Sequence, residues 1–182
     1  LGSPNYLNGI VATADRSALL VSDQAQDALW RVDLDTAAAT AVELVDSQLC
    51  ADGLALLEPG LLIGVSNRGE SRDDAVFFVS TVRSDDGWAT ARVTREHVDP
   101  RWTVPTTLAV VDDRVLVVEA QLWSRPEPRL PFRVLDVGSA AETPRVVTLP
   151  APLNCVAVLP DGRIVTAGAT GKVYFLSATG DL

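Results

Sequence analysis

A unit that begins with a polar residue and continues as two apolar runs joined by a turn occurs four times in this chain. A repeat at a period of 40 to 55 residues predicts that one supersecondary element is used several times, and this restricts the fold more than any other feature. The four units begin at Asn8, Asp52, Thr106 and Asn154.

Turn-forming residues separate the two apolar runs of each unit, as they do in β-hairpins. The runs are rich in Val, Leu and Ile and barely alternate, which is typical of strands buried on both faces. Further runs alternate as half-exposed strands do, and no helical period is evident. These alternating runs are residues 28–34, 41–45, 75–82, 89–97, 131–137, 144–149 and 172–177.

Four antiparallel strands in each unit indicate an all-β fold, a β-propeller with four-stranded blades. A β-sandwich is the competing interpretation, and the regular recurrence of strand types speaks against it. We interpret residues 1–182 as one propeller domain. The predicted core consists of Ile10, Ala12, Leu20, Leu54, Leu56, Leu62, Leu108, Val110, Val115, Val117, Val156, Val158 and Ile164.

Composition limits the partners that the chain can bind. Of its 182 residues 47% are apolar and 21% are charged, with a net charge of −9, so disorder is not expected. The negative charge argues against nucleic acid and against an anionic membrane, and is compatible with a small molecule, a cation or no ligand. No apolar run approaches the roughly 20 residues that cross a bilayer. Cys50 and Cys155 lie in no CxxC motif and are expected to be buried free thiols.

In a propeller the innermost strand of each blade begins at one mouth of the central channel. We therefore expect the four polar starting residues to form a ring at this mouth. Residues that lie fifteen positions later would form an outer tier, because the second strand returns to the same face; they are Asp23, Asn67 and Gln121. Such oxygen donors suit calcium or magnesium. Alternatively, these side chains satisfy strand-end amides or bind channel water.

At these residues the chain resembles the gluconolactonase and regucalcin-like family of six-bladed propellers. The resemblance lies in "LNGIVATADRSALLVSDQAQDALWRVDL", "ADGLALLEPGLLIGV" and "VPTTLAVVDDRVLVVEAQL", and it covers residues 1–140 well and the rest loosely. It implies four blades of six, with the N-terminal blades missing from this chain. It also implies a divalent cation, calcium before other ions, held by Asn8, Asp52 and a Glu from a missing blade.

The resemblance implies a metal-dependent hydrolase of a lactone or a similar small cyclic ester, with Asp52 as the catalytic base. Thr106, Asn154, Asp23, Asn67 and Gln121 would contact the substrate. Two alternatives stay open, a non-catalytic binding or scaffold propeller and a strictosidine-synthase-like propeller with other chemistry. Cytoplasmic and secreted locations are equally compatible with the sequence.

Overall fold

The structure, a computed structural model, describes most of the chain and contains only β-strands as regular elements within its described part. No helix in that part has the length and hydropathy needed to span a bilayer. The chain divides into two compact units, Leu1–Asp99 and Pro100–Leu182. The described residues are 6–69, 73–100, 102–111, 114–120, 132–137, 146–150, 153, 155–168 and 171–177.

The first unit contains two sheets. One is an antiparallel meander in the order β1-β2-β3-β4, and the other has five strands in the order β5-β9-β8-β7-β6. The first sheet consists of β1 (Leu7–Ala12), β2 (Ala18–Asp23), β3 (Ala28–Asp33) and β4 (Ala39–Ala41). The second consists of β5 (Glu43–Leu44), β6 (Ala51–Glu58), β7 (Leu61–Arg68), β8 (Val76–Arg83) and β9 (Thr90–His97).

The second unit also contains two sheets, a four-stranded meander and a three-stranded one. The four-stranded sheet consists of β10 (Pro105–Val111), β11 (Arg114–Glu119), β12 (Phe132–Asp136) and β13 (Val146–Leu149). The three-stranded sheet consists of β14 (Cys155–Val158), β15 (Ile164–Ala167) and β16 (Val173–Leu176). Within the described residues, the predicted hairpin and a third antiparallel strand are present in all four repeats, and a fourth antiparallel strand is present in the first three.

The core of each unit lies between its two sheets. In the first unit, Leu20 and Leu29 of the first sheet pack against Leu54, Leu62 and Val82 of the second. In the second unit, a cluster that includes Leu116, Val118, Phe132, Val156, Ile164 and Leu176 fills the equivalent place. Sheet-on-sheet packing of apolar faces therefore stabilises each unit.

The predicted core is confirmed in most positions, with two clear errors. Ile10 is 58% exposed, and Ala12 is exposed as well. Both point away from the core because successive strand residues alternate between faces, and Val11 between them packs against the core instead. Leu56, Val110 and Val158 are half-buried.

Two further expectations need correction. Residues 41–45 were expected to form the fourth strand of the first sheet, but β4 takes that place, and β5 instead pairs in parallel with β9 of the next sheet. The change occurs at Val42, which is buried in the core while its N–H donates to the Leu29 carbonyl at 2.8 Å. Both cysteines are free, but Cys50 is half-buried and Cys155 is exposed on β14.

Candidate functional site

Each of the first three repeats has a β-bulge at its polar starting residue. The pairing register of β1 with β2 shifts by one residue between Leu7 and Ile10, a stretch that contains Asn8. Asp52 is the extra residue in β6, and Thr106 is the extra residue in β10. A bulge changes the direction of a side chain and is common beside active sites. These three positions are therefore equivalent, and the side chain at each departs from the regular alternation of the strand.

Asn8 and Asp52 lie together where β1 approaches β6. Asn8 donates a hydrogen bond from its amide to Asp52, and Asn8 Nδ2 lies 2.9 Å from Gln24 Oε1. Both amide N–H groups are thereby used, which leaves Asn8 Oδ1 as the atom that could face a ligand. The expected neighbourhood of Asn8 and Asp52 is present within the first unit.

Gly9 explains how the two strands come so close. A Cβ atom placed on Gly9 would lie 2.8 Å from the Leu54 backbone nitrogen and 2.9 Å from the Asp52 carbonyl oxygen. Any larger residue would meet the backbone of β6, so the glycine that follows Asn8 is needed for close approach. The Asn-Gly pair therefore positions the Asn8 side chain beside Asp52.

The electrostatics of Asp52 are unusual for a carboxylate. Burial raises its pKa to about 6, and the hydrogen bond from Asn8 acts in the opposite direction. A carboxyl group that titrates near neutrality can hold or release a proton under working conditions, which is a property of catalytic bases.

Two residues that the sequence analysis did not select lie next to Asp52. Cys50 has its pKa raised to about 11, first by burial, then by a hydrogen bond to Asp27, and further by the charges of Asp27 and Asp52. Asp27 adopts a left-handed backbone conformation, with φ of 50°, in the turn between β2 and β3. Strand alternation could not have identified Cys50, because Cys50 precedes β6 and Asp52 is a bulge residue.

A cavity of about 260 Å³ opens beside this cluster. Asp27, Cys50 and Asn67 contribute to its lining together with Arg68 and Phe78. Arg68 pairs with Glu96, and its guanidinium carbon lies 4.3 Å from the centre of the Phe78 ring. Asn67, which was predicted to bind substrate, thus lines a small cavity together with Cys50, whereas Asp52 and Asn8 are not among the lining residues.

Asp23 has a different environment from the expected one. Its side chain is fully buried and accepts hydrogen bonds from the N–H groups of Tyr6 at 3.0 Å and Ala25 at 3.1 Å, and from the Gln26 amide at 3.0 Å. These bonds attach the chain before β1 and the turn after β2 to the same carboxylate. A contact between Asp23 and substrate stays a prediction.

The equal spacing of fifteen residues does not mark equivalent positions. Leu7 pairs with Asp23, and the corresponding pairs are Ala51 with Ser66 and Pro105 with Glu119. The spacing changes because the connection from Ala12 to Ala18 between β1 and β2 is longer than the one from Glu58 to Leu61 between β6 and β7, and because β6 has a second register shift between Leu56 and Glu58. Buried Glu119, which accepts from Thr103 N at 2.7 Å and from Arg133 Nε at 2.9 Å, is the counterpart of Asp23.

In the second unit, the Thr106 side chain is buried at its bulge, and its hydroxyl has no hydrogen-bond partner among the described residues. A buried hydroxyl in this state calls for a water molecule or a ligand. Asn154 and Gln121 lie outside the described residues.

The donor chemistry at Asn8 and Asp52 fits a hard divalent cation. An amide oxygen and a carboxylate are the ligand types that calcium and magnesium prefer. Within the described residues no three His, Cys, Asp or Glu side chains stand together as a metal site, so the remaining ligands would be amides, hydroxyls, backbone oxygens, water or groups elsewhere. Asn8 and Asp52 therefore have the ligand types that such a cation prefers, and they would supply part of its coordination.

No family model matches the chain, and no curated protein is significantly similar to it in sequence. Solved structures do match. A protein provisionally described as a gluconolactonase is 15% identical with a TM-score of 0.58, over 97% of this chain and 64% of that one. A protein provisionally described as TolB, from Agrobacterium tumefaciens, is 11% identical with a TM-score of 0.63, over 99% of this chain and 61% of that one.

A third match is to the β-propeller domain of Cps50 (Swd1) from Myceliophteria thermophila, which is 14% identical with a TM-score of 0.57, over 94% of this chain and 53% of that one. The chain therefore spans between about half and two thirds of the length of these three structures. At such identities the similarity concerns the fold. Together with the four-stranded antiparallel sheets described above, it shows that this chain has a β-propeller fold.

Proposed function

We propose that this chain contributes Asn8 and Asp52 to the active site of a divalent-cation-dependent hydrolase that acts on a lactone or a similar small cyclic ester. The observation that carries the proposal is a half-buried carboxylate at a β-bulge, with a pKa of about 6 and the Asn8 amide beside it. The similarity to a provisional gluconolactonase supports it at the level of the fold.

Asp52 would act as the general base. Its carboxylate takes a proton from the attacking water while the water oxygen bonds to the ester carbonyl carbon, and the proton then passes to the ring oxygen as the ring C–O bond breaks. The product is the open hydroxy acid. Asn8 holds the Asp52 carboxylate in place through its amide N–H. When bound, the cation would polarise the carbonyl and stabilise the negative charge that develops on its oxygen.

The cavity of about 260 Å³ is lined by Cys50, which is two positions from Asp52 in the chain, and Asp52 itself is not among its lining residues. Asn67, Asp27 and Arg68 in its lining offer both donors and acceptors, and we propose that it holds the part of a small polar substrate that extends away from Asp52. Thr106 and Asn154 are proposed as further substrate contacts, and their roles stay predictions.

The test is Asp52→Asn in the full chain, with calcium titration by calorimetry and a panel of lactones. We expect Asp52→Asn to weaken calcium binding by at least about tenfold, or about 1.4 kcal/mol, because it removes the only carboxylate of the pair. Lactone turnover should be lost as well. Thr106→Ala should retain most of the calcium affinity, and Asp35→Asn, at an exposed turn after β3, should change neither.

Equal calcium binding by all four proteins would contradict the metal assignment. Calcium binding that depends on Asp52, with no turnover of any lactone, would favour a non-catalytic binding propeller.

A further inference from the structure

The turn between β2 and β3, residues 24–27, reaches the neighbourhood of Asn8 and Asp52 with two side chains. Gln24 at its start bonds to the Asn8 amide, and Asp27 at its end bonds to the Cys50 thiol. Gln24 has no role in the reaction proposed above. It is nevertheless the turn residue that contacts a proposed cation ligand, so its bond can act on cation binding.

The backbone of Gln24 is held in place independently of its side chain. Its N–H donates to the Tyr6 carbonyl at 2.9 Å, which ties the turn to the chain before β1. The preceding residue, fully buried Asp23, accepts from the N–H groups of Tyr6 and Ala25. Since none of these bonds uses the Gln24 side chain, a substitution of Gln24 should leave the course of the turn unchanged.

The side-chain nitrogen of Asn8 lies between two acceptors. One of its N–H groups donates to Gln24, with 2.9 Å between Asn8 Nδ2 and Gln24 Oε1, and the other donates to the Asp52 carboxylate. Asn8 Oδ1 accepts hydrogen bonds and cannot donate them, so it would face two oxygens if the amide rotated by 180°. The two bonds together therefore select one orientation of the amide, with Nδ2 toward Gln24 and Asp52.

Of these two acceptors, Gln24 is the one that is not itself a proposed ligand. A divalent cation at Asp52 attracts the carboxylate oxygens and so weakens the bond that Asn8 makes to them. The Gln24 amide is neutral and does not titrate, so it can keep its bond whether Asp52 is ionised, protonated or bound to a cation. The orientation of Asn8 in the loaded site consequently depends on Gln24 more than on Asp52.

We propose that Gln24 is a positioning residue, which fixes the Asn8 amide so that Oδ1, and not Nδ2, is presented to the ligand. Oδ1 is the amide atom that can bind a hard cation, whereas a reversed amide would present N–H groups with partial positive charge. The part of this inference that concerns the cation rests on the proposed function. The orientation of the Asn8 amide does not, and it can be measured without any metal.

Two substitutions of Gln24 separate the acceptor atom from the rest of the side chain. Gln24→Met keeps a similar length and removes Oε1, and Gln24→Glu keeps an oxygen acceptor toward Asn8. Gln26→Met is the matched control, because Gln26 lies in the same turn but its amide donates to the Asp23 carboxylate at 3.0 Å. Thermal melting checks that all three variants are folded.

The first measurement is NMR spectroscopy of the Asn8 side-chain amide in the presence of a chelator, with Asn8→Ala identifying its signals. Both N–H groups should exchange slowly with water in the wild type. In Gln24→Met, the group that faced Gln24 should exchange at least about fivefold faster, because it loses one hydrogen bond. Gln24→Glu and Gln26→Met should retain the slow exchange. Exchange at the wild-type rate in Gln24→Met would overturn the proposal.

The second measurement is calcium titration by calorimetry. We expect Gln24→Met to bind calcium at least about fivefold more weakly than the wild type, which corresponds to the loss of one hydrogen bond that holds a ligand. Gln24→Glu, which restores the acceptor, and Gln26→Met should retain most of the affinity. Calcium affinity of the wild-type strength in Gln24→Met, together with fast exchange at Asn8, would overturn the role of Gln24 toward the ligand.

The two measurements separate this inference from the proposed function. If the wild type binds no calcium, the proposed function fails, and the exchange rates alone decide whether Gln24 fixes the Asn8 amide. If the wild type binds calcium, and exchange and affinity change together in Gln24→Met but not in Gln24→Glu, the inference is supported.

Discussion

Asp52 carries a free-energy cost in the folded chain as long as no cation accompanies it. Its pKa of about 6 in the folded state exceeds the ordinary value of 3.8, so the folded state binds its proton more tightly than the unfolded state does. The contribution of this group to stability is therefore complete below about pH 4 and is lost as the pH rises through 6.

The first prediction follows from this sign. In the presence of a chelator, Asp52→Asn should raise the free energy of unfolding at pH 8 by about 2 kcal/mol, a value already reduced for the partial exposure of the group. At pH 4 the two proteins should differ little. Thermal melts at both pH values measure the difference, with Asp35→Asn, at an exposed turn residue, as the matched control substitution. A constant difference between the two pH values would contradict the raised pKa.

The second prediction concerns Asn8. Its hydrogen bond lowers the pKa of Asp52, so Asn8→Ala should raise that pKa above 6. Carbon-detected NMR titration of the Asp52 carboxyl group measures the change. Asn67→Ala, which alters the neighbouring cavity, should leave the titration where it is. A lower pKa in Asn8→Ala would exclude the hydrogen bond as described.

At the residue scale, the sequence predicted the neighbourhood of Asn8 and Asp52 and little else of the site. Asn8 and Asp52 could be recognised because each begins a repeat. Gln24 and Asp27 could not, because they enter the site from turn positions whose direction depends on the turn conformation. Asp23 has the residue type of a ligand, yet its oxygens are used by the chain around it.

The close approach of β1 to β6 is the element-scale feature on which the site depends. Gly9 permits it, since a Cβ there would meet backbone atoms that cannot rotate away. The same methyl group on Gly64 would meet side chains, with Ala51 Cβ nearest at 3.1 Å and Leu54 Cδ2 at 3.3 Å. Side-chain atoms can move aside more easily than backbone atoms can, so a methyl group is better tolerated at Gly64 than at Gly9.

The third prediction compares these two glycines. Gly9→Ala should lower the free energy of unfolding by about 2 to 3 kcal/mol, and Gly64→Ala should cost about 1 kcal/mol. Urea titration measures both. Because Gly9→Ala pushes β1 away from β6, it should also weaken calcium binding, whereas Gly64→Ala should weaken it less. Equal effects of the two changes on both properties would mean that close strand approach does not position Asn8.

At the element scale, the hairpins were predictable and the departures from regular pairing were not. Turn residues and apolar runs identify the strands directly. The bulges at Asp52 and Thr106 depend on the pairing register with a neighbouring strand. The sequence of one strand alone does not determine that register. The transfer of β5 to the neighbouring sheet depends on the burial of Val42, which is a tertiary property.

At the scale of the whole molecule, the repeat predicted the propeller fold, because hairpins with the same order of strand types recur along the chain. The junction between the two sheets of each unit could not be predicted in the same way, because it depends on which side of each strand faces the neighbouring sheet.

The bulges at Asn8, Asp52 and Thr106 also have a consequence for how such a protein can change. At each position the extra backbone residue of the bulge, and not the type of side chain, interrupts the regular strand pairing. An amide, a carboxylate and a hydroxyl therefore occupy equivalent positions in three repeats. One repeat can therefore exchange its functional group while its hairpin and core stay intact. New chemistry in this scaffold can be assembled one repeat at a time, and a small combinatorial library at three codons would sample it.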